Sequence, residues 1–239
     1  MKYILFFHVM IVLKESKSNE SNAFKGMFKS ADDIINALIS LIEYRGVSDL
    51  THVQRICGYT EILMTYIYKQ NKEKYSLTKE DIEIYSTSAA LHDIGKITVT
   101  DDILLKKGRY TQFEHETIKL HSIKGADIIE SLKDLFDEKY YNICYEIVKY
   151  HHERWDGSGY PDSLQGEEIP LSARVVAIAD VYDALTSVKI YKPRLPHKTA
   201  VEMIANGDCG LFDPDILECF KKVKGKFEKL NNEFFGPFR

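Results

Sequence analysis

The chain has no long apolar run, no surplus of positive charge and no cysteine framework, and each absence narrows what it can be. Its most apolar stretch, Tyr3 to Leu13, is about half the length a membrane-spanning helix requires. The polar KESKSNESNAF that follows lacks a small-x-small cleavage pattern, which argues against a signal peptide. A formal net charge of -4 over 239 residues leaves no basic field for wrapping a DNA or RNA duplex, so any phosphate binding must be local. The four cysteines, Cys57, Cys144, Cys209 and Cys219, form no CxxC pair and no dense array, as in a cytoplasmic protein with reduced thiols. No run alternates strongly enough for a sheet, and there is neither an internal repeat nor a low-complexity tract.

What is present is helical periodicity over a chain long enough to bury a substantial core. Residues 1–30 read as an apolar segment followed by a linker rich in Ser, Asn and Lys, and residues 31–239 as one domain. In ADDIINALISLIEYR, Ile34, Ile35, Leu38, Ile39 and Ile42 fall on one face, behind acidic Asp32 and Asp33 in the first turn. Thr78 to Asp81 and Thr111 to Glu114 read as capping boxes, and Asp213-Pro214 as the start of a final helix. Two further helices are expected from about 139 to 153 and from about 171 to 187. The expected fold class is all-α, a bundle of roughly seven or eight helices.

The chemistry lies in clustered histidines and aspartates. His92-Asp93 within LHDIGK and His151-His152 within YHHERWDGSGYP are poor choices for an apolar core but suit a site with more than one metal. Neighbours on a helix point about 100° apart, so each pair could reach two different ions. His121 and His52 also fall in or near expected helices, and Asp180 sits within ARVVAIADVYDALTS, where an unpaired carboxylate would be costly to bury. Taken singly, Asp180 is as readily a structural hydrogen-bonding residue, and His52 a satisfied core histidine. The pairs make those plain readings fall together. His8, His115 and His197 have no such company and read as ordinary packing or surface residues. Trp155 and Tyr160 fit a core plug or a ligand-facing loop equally well, given Gly157, Gly159 and Pro161 around them.

Together, LHDIGKI, LLKKGRYTQFEHETIKLHSIKGADII and HHERWDGSGYPDSLQGEEIPLSARVVAIADVYDALTS resemble the HD-GYP domain, a branch of the HD phosphohydrolase superfamily, from about Ala31 to the end of the final helix. The resemblance implies hydrolysis of the bacterial second messenger cyclic di-GMP, to pGpG and/or GMP, by two divalent metal ions, iron or manganese. By position it implies that His52, His92, Asp93 and Asp180 hold one metal, and that Asp93, His121, His151 and His152 hold the second, with Asp93 bridging. Lys96 would lie near the scissile phosphate, with Asp183 as a partner for it. The Gly159-Tyr160-Pro161 loop would shape the nucleotide pocket, and Lys189 and Lys192 would contact phosphate. At Lys189 the family more often has arginine, so a bidentate contact there would weaken to a point charge. Relatives with three metals carry a glutamate four residues before the first histidine; here that position is Ser48, with Asp49 one residue later, and two metals are expected.

The resemblance leaves three functions open: a cyclic di-GMP phosphodiesterase, a hydrolase of another cyclic dinucleotide such as cyclic GMP-AMP, or a catalytically silent module that senses cyclic di-GMP. The intact ligand series argues against the last. A diguanylate cyclase or a sensory protein would be the expected partner, and the amphipathic helices from about 31 to 70 could serve a homodimer or internal packing.

Overall fold

A computed structural model describes residues 30–47, 50–188 and 193–238. Ser48, Asp49, Lys189, Lys192 and the Tyr3 to Leu13 segment, each given a role above, lie outside the described residues. The α-helices are α1 (Ala31–Tyr44), α2 (Leu50–Asn71), α3 (Lys79–Ala89), α4 (Asp101–Leu104), α5 (Gln112–Lys119), α6 (His121–Ser131), α7 (Glu138–Tyr150), α8 (Leu171–Thr186), α9 (His197–Asn206) and α10 (Pro214–Phe235). A 3-10 helix, Ile94–Thr98, follows α3, and shorter ones span Lys133–Leu135 and Gly166–Glu168. Among the described residues there is no strand, only two isolated bridges, so the all-α expectation holds. The short α4 and α5 lie apart from the core, and neither has a buried residue.

Local chemistry explains where the helices begin. Asp33 and Ser30 exchange side-chain and backbone bonds across the first turn of α1, and Thr111 and Glu114 do the same at α5. At α3, the Thr78 backbone N–H and hydroxyl both donate to Asp81, at 2.6 and 2.7 Å. Asp213 accepts from the N–H groups of Asp215 and Ile216, and Pro214 occupies the first turn of α10.

Helix α8 is buried almost all round, with Val175, Val176, Ile178, Ala179 and Tyr182 enclosed, and so runs through the centre of the bundle. It packs on α2, α7, α9 and α10. Helix α2 presents Val53, Ile56, Tyr59, Leu63 and Ile67 at three- and four-residue steps. Tyr59 stacks on Phe227 of α10 at 4.7 Å and meets the edge of Tyr182 at 5.1 Å. Each such side chain contributes roughly 1.5–3 kcal/mol when buried. The core thereby fixes α2, α3, α7 and α8, the elements that carry most of the clustered polar residues.

Two helix ends matter for the site, and one of them differs from the sequence expectation. Helix α7 stops at Tyr150 and not near residue 153, so His151 and His152 stand in the turn beyond it. Helix α3 ends at Ala89, close to the His92-Asp93 pair as expected, and the pair occupies the turn between it and the Ile94–Thr98 helix. The paired residues diverge because the backbone turns, not because a helix rotates them.

Candidate metal centre

Close backbone approach brings these turns together. A Cβ on Gly95 would overlap the carbonyl oxygen of His121 and sit 2.5 Å from the nitrogen of Gly125. Only glycine lets the Ile94–Thr98 helix lie this tightly on α6, and that contact carries Asp93 to His121 at the α6 N-terminus. His121 Nε2 is 3.4 Å from Asp93 Oδ1. The turn after α7 supplies His151 and His152, α2 supplies His52 from its first turn, and α8 supplies Asp180.

Three of the imidazoles are oriented by the main chain. His92 Nδ1 lies 2.9 Å from the Ala89 carbonyl, His121 Nδ1 2.7 Å from that of Ile118, and His151 Nδ1 2.9 Å from that of Ile147. A carbonyl oxygen only accepts, so each Nδ1 carries a hydrogen; Nε2 of His121 and His151, kept neutral by burial, offers a lone pair, and His92 Nε2 does so once it gives up its proton. His121 Nε2 and His151 Nε2 are 3.4 Å apart, two acceptors facing one another. His92 Nε2 lies 3.4 Å from Asp93 Oδ2 and 3.9 Å from Asp180 Oδ1. His92 Nε2 and Asp93 Oδ1 are buried with no hydrogen-bond partner. Convergent buried acceptors are mutually repulsive unless a cation lies among them. The donors fall into two groups, Asp93 with His121, His151 and His152, and His52 with His92 and Asp180; within each, ligand atoms lie within 4.8 Å of one another. Imidazole nitrogen and carboxylate oxygen suit a divalent transition metal in either group.

Burial depresses the pKa of His151 and His152 well below the usual imidazole range, with neighbouring histidines adding to the effect, and lowers that of His121. Neutral imidazole is the form that binds metal. Burial would lower His92 too, but the carboxylates of Asp93 and Asp180 outweigh it and push His92 up to about 9. Burial opposes ionisation of Asp93, yet Lys96, His92 and His121 hold its carboxyl well below the ordinary range. Lys96 Nζ donates to Asp93 Oδ2 at 2.6 Å, and that carboxylate keeps the ammonium charged against its own burial.

Asp183 does not pair with Lys96. Its Oδ2 accepts from His52 Nδ1 at 2.8 Å, and its two oxygens accept from Arg55 Nε and Nη2 at 2.6 and 3.0 Å. Asp183 sits one turn along α8 from Asp180 but is turned towards α2, where Arg55 lies three residues from His52 on the same face. Arg55 went unnoticed in the sequence, although its spacing from His52 was the available signal.

The loop after His152 is held by Glu153, which is 2% exposed and accepts from the Asp162 N–H at 2.8 Å. A Cβ on Gly159 would overlap Glu153 Cα and lie 2.5 Å from the nitrogen of Arg154, so the loop folds back on the metal-site turn only with glycine there. The cis Tyr160-Pro161 peptide follows. The Tyr160 ring lies 4.7 Å from that of His152 and 6.4 Å from that of His121, with Lys119 Nζ 5.6 Å above it. Tyr160 therefore faces the site. Trp155, by contrast, lies under the Arg174 guanidinium at 5.8 Å.

Residues 40–216 match the model of the HD domain family. The chain is 39% identical over 204 residues to a cyclic di-GMP phosphodiesterase of Vibrio cholerae, covering 85% of this chain and 42% of that protein. It is 33% identical over 202 residues to a cyclic di-GMP phosphodiesterase response regulator of Xanthomonas campestris, covering 84% and 50%. A 3'3'-cGAMP-specific phosphodiesterase of Vibrio cholerae is 31% identical over 197 residues, covering 82% and 35%. The chain spans half or less of the length of these relatives. A crystal structure of a cyclic GMP-AMP specific phosphodiesterase of Vibrio cholerae superposes with a TM-score of 0.54 at 15% identity, over 84% of this chain and 50% of that one, a likeness of fold alone. With its HD pair, paired histidines and Gly-Tyr-Pro loop in place, the chain belongs to the HD domain family and is of the HD-GYP type.

Proposed function

We propose that this chain is a metal-dependent phosphodiesterase that hydrolyses cyclic di-GMP to pGpG and/or GMP in bacterial second-messenger signalling. The observation that carries the reading is the convergence of imidazole nitrogens and carboxylate oxygens in two adjoining groups, with buried, unpartnered His92 Nε2 and Asp93 Oδ1 where the groups meet. His52, His92, Asp93 and Asp180 would hold one ion, and Asp93, His121, His151 and His152 the other, iron or manganese in each. When bound, such a pair supplies Lewis acidity at the phosphate and lowers the pKa of water towards neutrality.

The protein's own groups do the rest. Lys96, charged and 2.6 Å from Asp93, offsets negative charge gathering on the phosphate oxygens. Tyr160, beside His152, presents a ring on which a guanine can stack, with Gly159 and Pro161 setting its position. By the family resemblance, Lys189 and Lys192 would contact phosphate. The reading extends to a cytoplasmic protein whose partner is a sensory protein or a diguanylate cyclase, with amphipathic helices that could serve a homodimer or internal packing.

A second substrate, cyclic GMP-AMP, is favoured by one finding, the 31% identity to a phosphodiesterase named for it. Hydrolysis of each dinucleotide by protein loaded with iron or manganese without oxygen separates them. Faster turnover of cyclic di-GMP, abolished in Asp93→Ala, is expected; faster turnover of cyclic GMP-AMP selects the alternative, and metal-loaded protein that turns over neither is a sensor.

A further inference from the structure

The end of α10 lies against the support of one ligand group. Phe234 and Phe235 close α10 beyond its last buried residues, Phe227 and Asn231, and both are half-buried. Their ring centres lie 5.6 and 4.6 Å from the guanidinium carbon of Arg55. Phe235 meets a second guanidinium, that of Arg194, at 5.8 Å. Arg194 in turn donates to the carbonyls of Gly236 and Pro237, at 3.1 Å from its nearest nitrogen in each case, and so holds the end of the chain over Arg55. Arg55 is 3% exposed and grips both oxygens of Asp183, while its Nη1 donates to the Thr51 hydroxyl at 2.9 Å. One of those oxygens receives the His52 Nδ1 hydrogen. An unbroken line of contacts therefore runs from Phe235 through Arg55 and Asp183 to His52.

We infer that Phe235 is a positioning residue for metal binding: stacked on Arg55, it steadies the Arg55–Asp183 fork that aims the His52 imidazole, and so sets the affinity of the His52, His92 and Asp180 group for its ion. The inference rests on the metal-dependent reading above. A carboxylate on the far nitrogen of a ligating histidine fixes its tautomer and ring orientation and raises its basicity. That carboxylate keeps its place only while the planar guanidinium keeps its own, and an aromatic face provides a flat, dry and electrostatically favourable seat for it. His121 and His151 take their orientation from main-chain carbonyls instead, so the effect is selective. A residue that merely packed the bundle would not distinguish the two groups.

The test is manganese(II) binding by the full chain under chelator competition, for wild type, Phe235→Leu and Phe235→Trp, each repeated in a His152→Ala background that disables the other group. The leucine variant should weaken one class of site about three- to tenfold, the magnitude of a guanidinium–aromatic contact, and leave the second class unchanged. Tryptophan should restore it, and the loss should persist in the His152→Ala background. Equal weakening of both classes, or of neither, overturns the positioning role and leaves the metal reading standing. A wild-type chain that binds no manganese overturns the metal reading, and the inference with it.

Discussion

The two candidate ligand groups are built on different principles. The group of Asp93, His121, His151 and His152 is oriented by backbone: two of its imidazoles donate to carbonyls, the chain enters through a glycine pressed on α6, and His121 and His151 are sealed from solvent. The group of His52, His92 and Asp180 takes its one distant ligand, His52, from a relay of side chains, and the side chains of His52 and Asp180 are each 19% exposed. Backbone orientation is inherited from the fold, whereas a side-chain relay must be held together by neighbours. The first group should behave as part of the core, the second as an adjustable site.

The largest effect expected from breaking this contrast is at Gly95. Gly95→Ala places a Cβ against the backbone of α6, where no side-chain rotation relieves the overlap, and should cost on the order of 3 kcal/mol while moving Asp93 away from His121. Thermal unfolding and metal content should fall together. A variant of wild-type stability that retains metal would contradict the backbone account.

Next is Arg55→Met, which leaves the Asp183 carboxylate buried without its cation. With His52 still donating to that carboxylate, the loss of the Arg55 hydrogen bonds should cost about 2 kcal/mol, and here the loss of metal should be confined to the His52 group. Asp183→Asn, which keeps the shape but weakens the hold on His52, should lower metal affinity about 10- to 100-fold with a smaller loss of stability. Equal loss from both groups in either variant would erase the distinction.

The smallest effect is the pH dependence of chelated protein. His151 and His152 are held well below the ordinary imidazole range by burial, so below a pH of about 6.5 the unfolded chain takes up protons there that the fold does not, and stability declines as pH falls. His92 runs the other way. Raised to about 9 by Asp93 and Asp180 against its burial, it contributes stability that is complete below about pH 6.5 and lost as pH rises towards 9. The melting temperature of the metal-free chain should therefore pass through a maximum near pH 6.5. His152→Asn should flatten the acid side, and an unchanged acid side would show that this imidazole is not held neutral.

Much of this was legible in the sequence where the signal is local. The boxes at Thr78 and Thr111 depend on residues three apart, and the helices began where those residues stand. The polar pairs stood out because His92-Asp93 and His151-His152 interrupt apolar helical runs. The end of α7 was not legible, since no Gly or Pro follows Tyr150 until Gly157, and the chain turns there to bring the histidines to the site. The pairing of Asp183 with Arg55 was legible only in part, since spacing puts Arg55 on the His52 face and says nothing of Asp183. Asp183 itself falls one turn from Asp180, but only the packing of α8 on α2 puts Arg55 beside it. The Nδ1-to-carbonyl bonds likewise exist only once the turns have formed.

The most direct test of two differently supported metal groups is anomalous diffraction at the manganese edge from crystals of the full chain loaded with that ion. The account predicts two peaks, one among Asp93, His121, His151 and His152 and one among His52, His92 and Asp180, with the second alone weakened by Arg55→Met. A single peak, or ions bound away from these side chains, would contradict it.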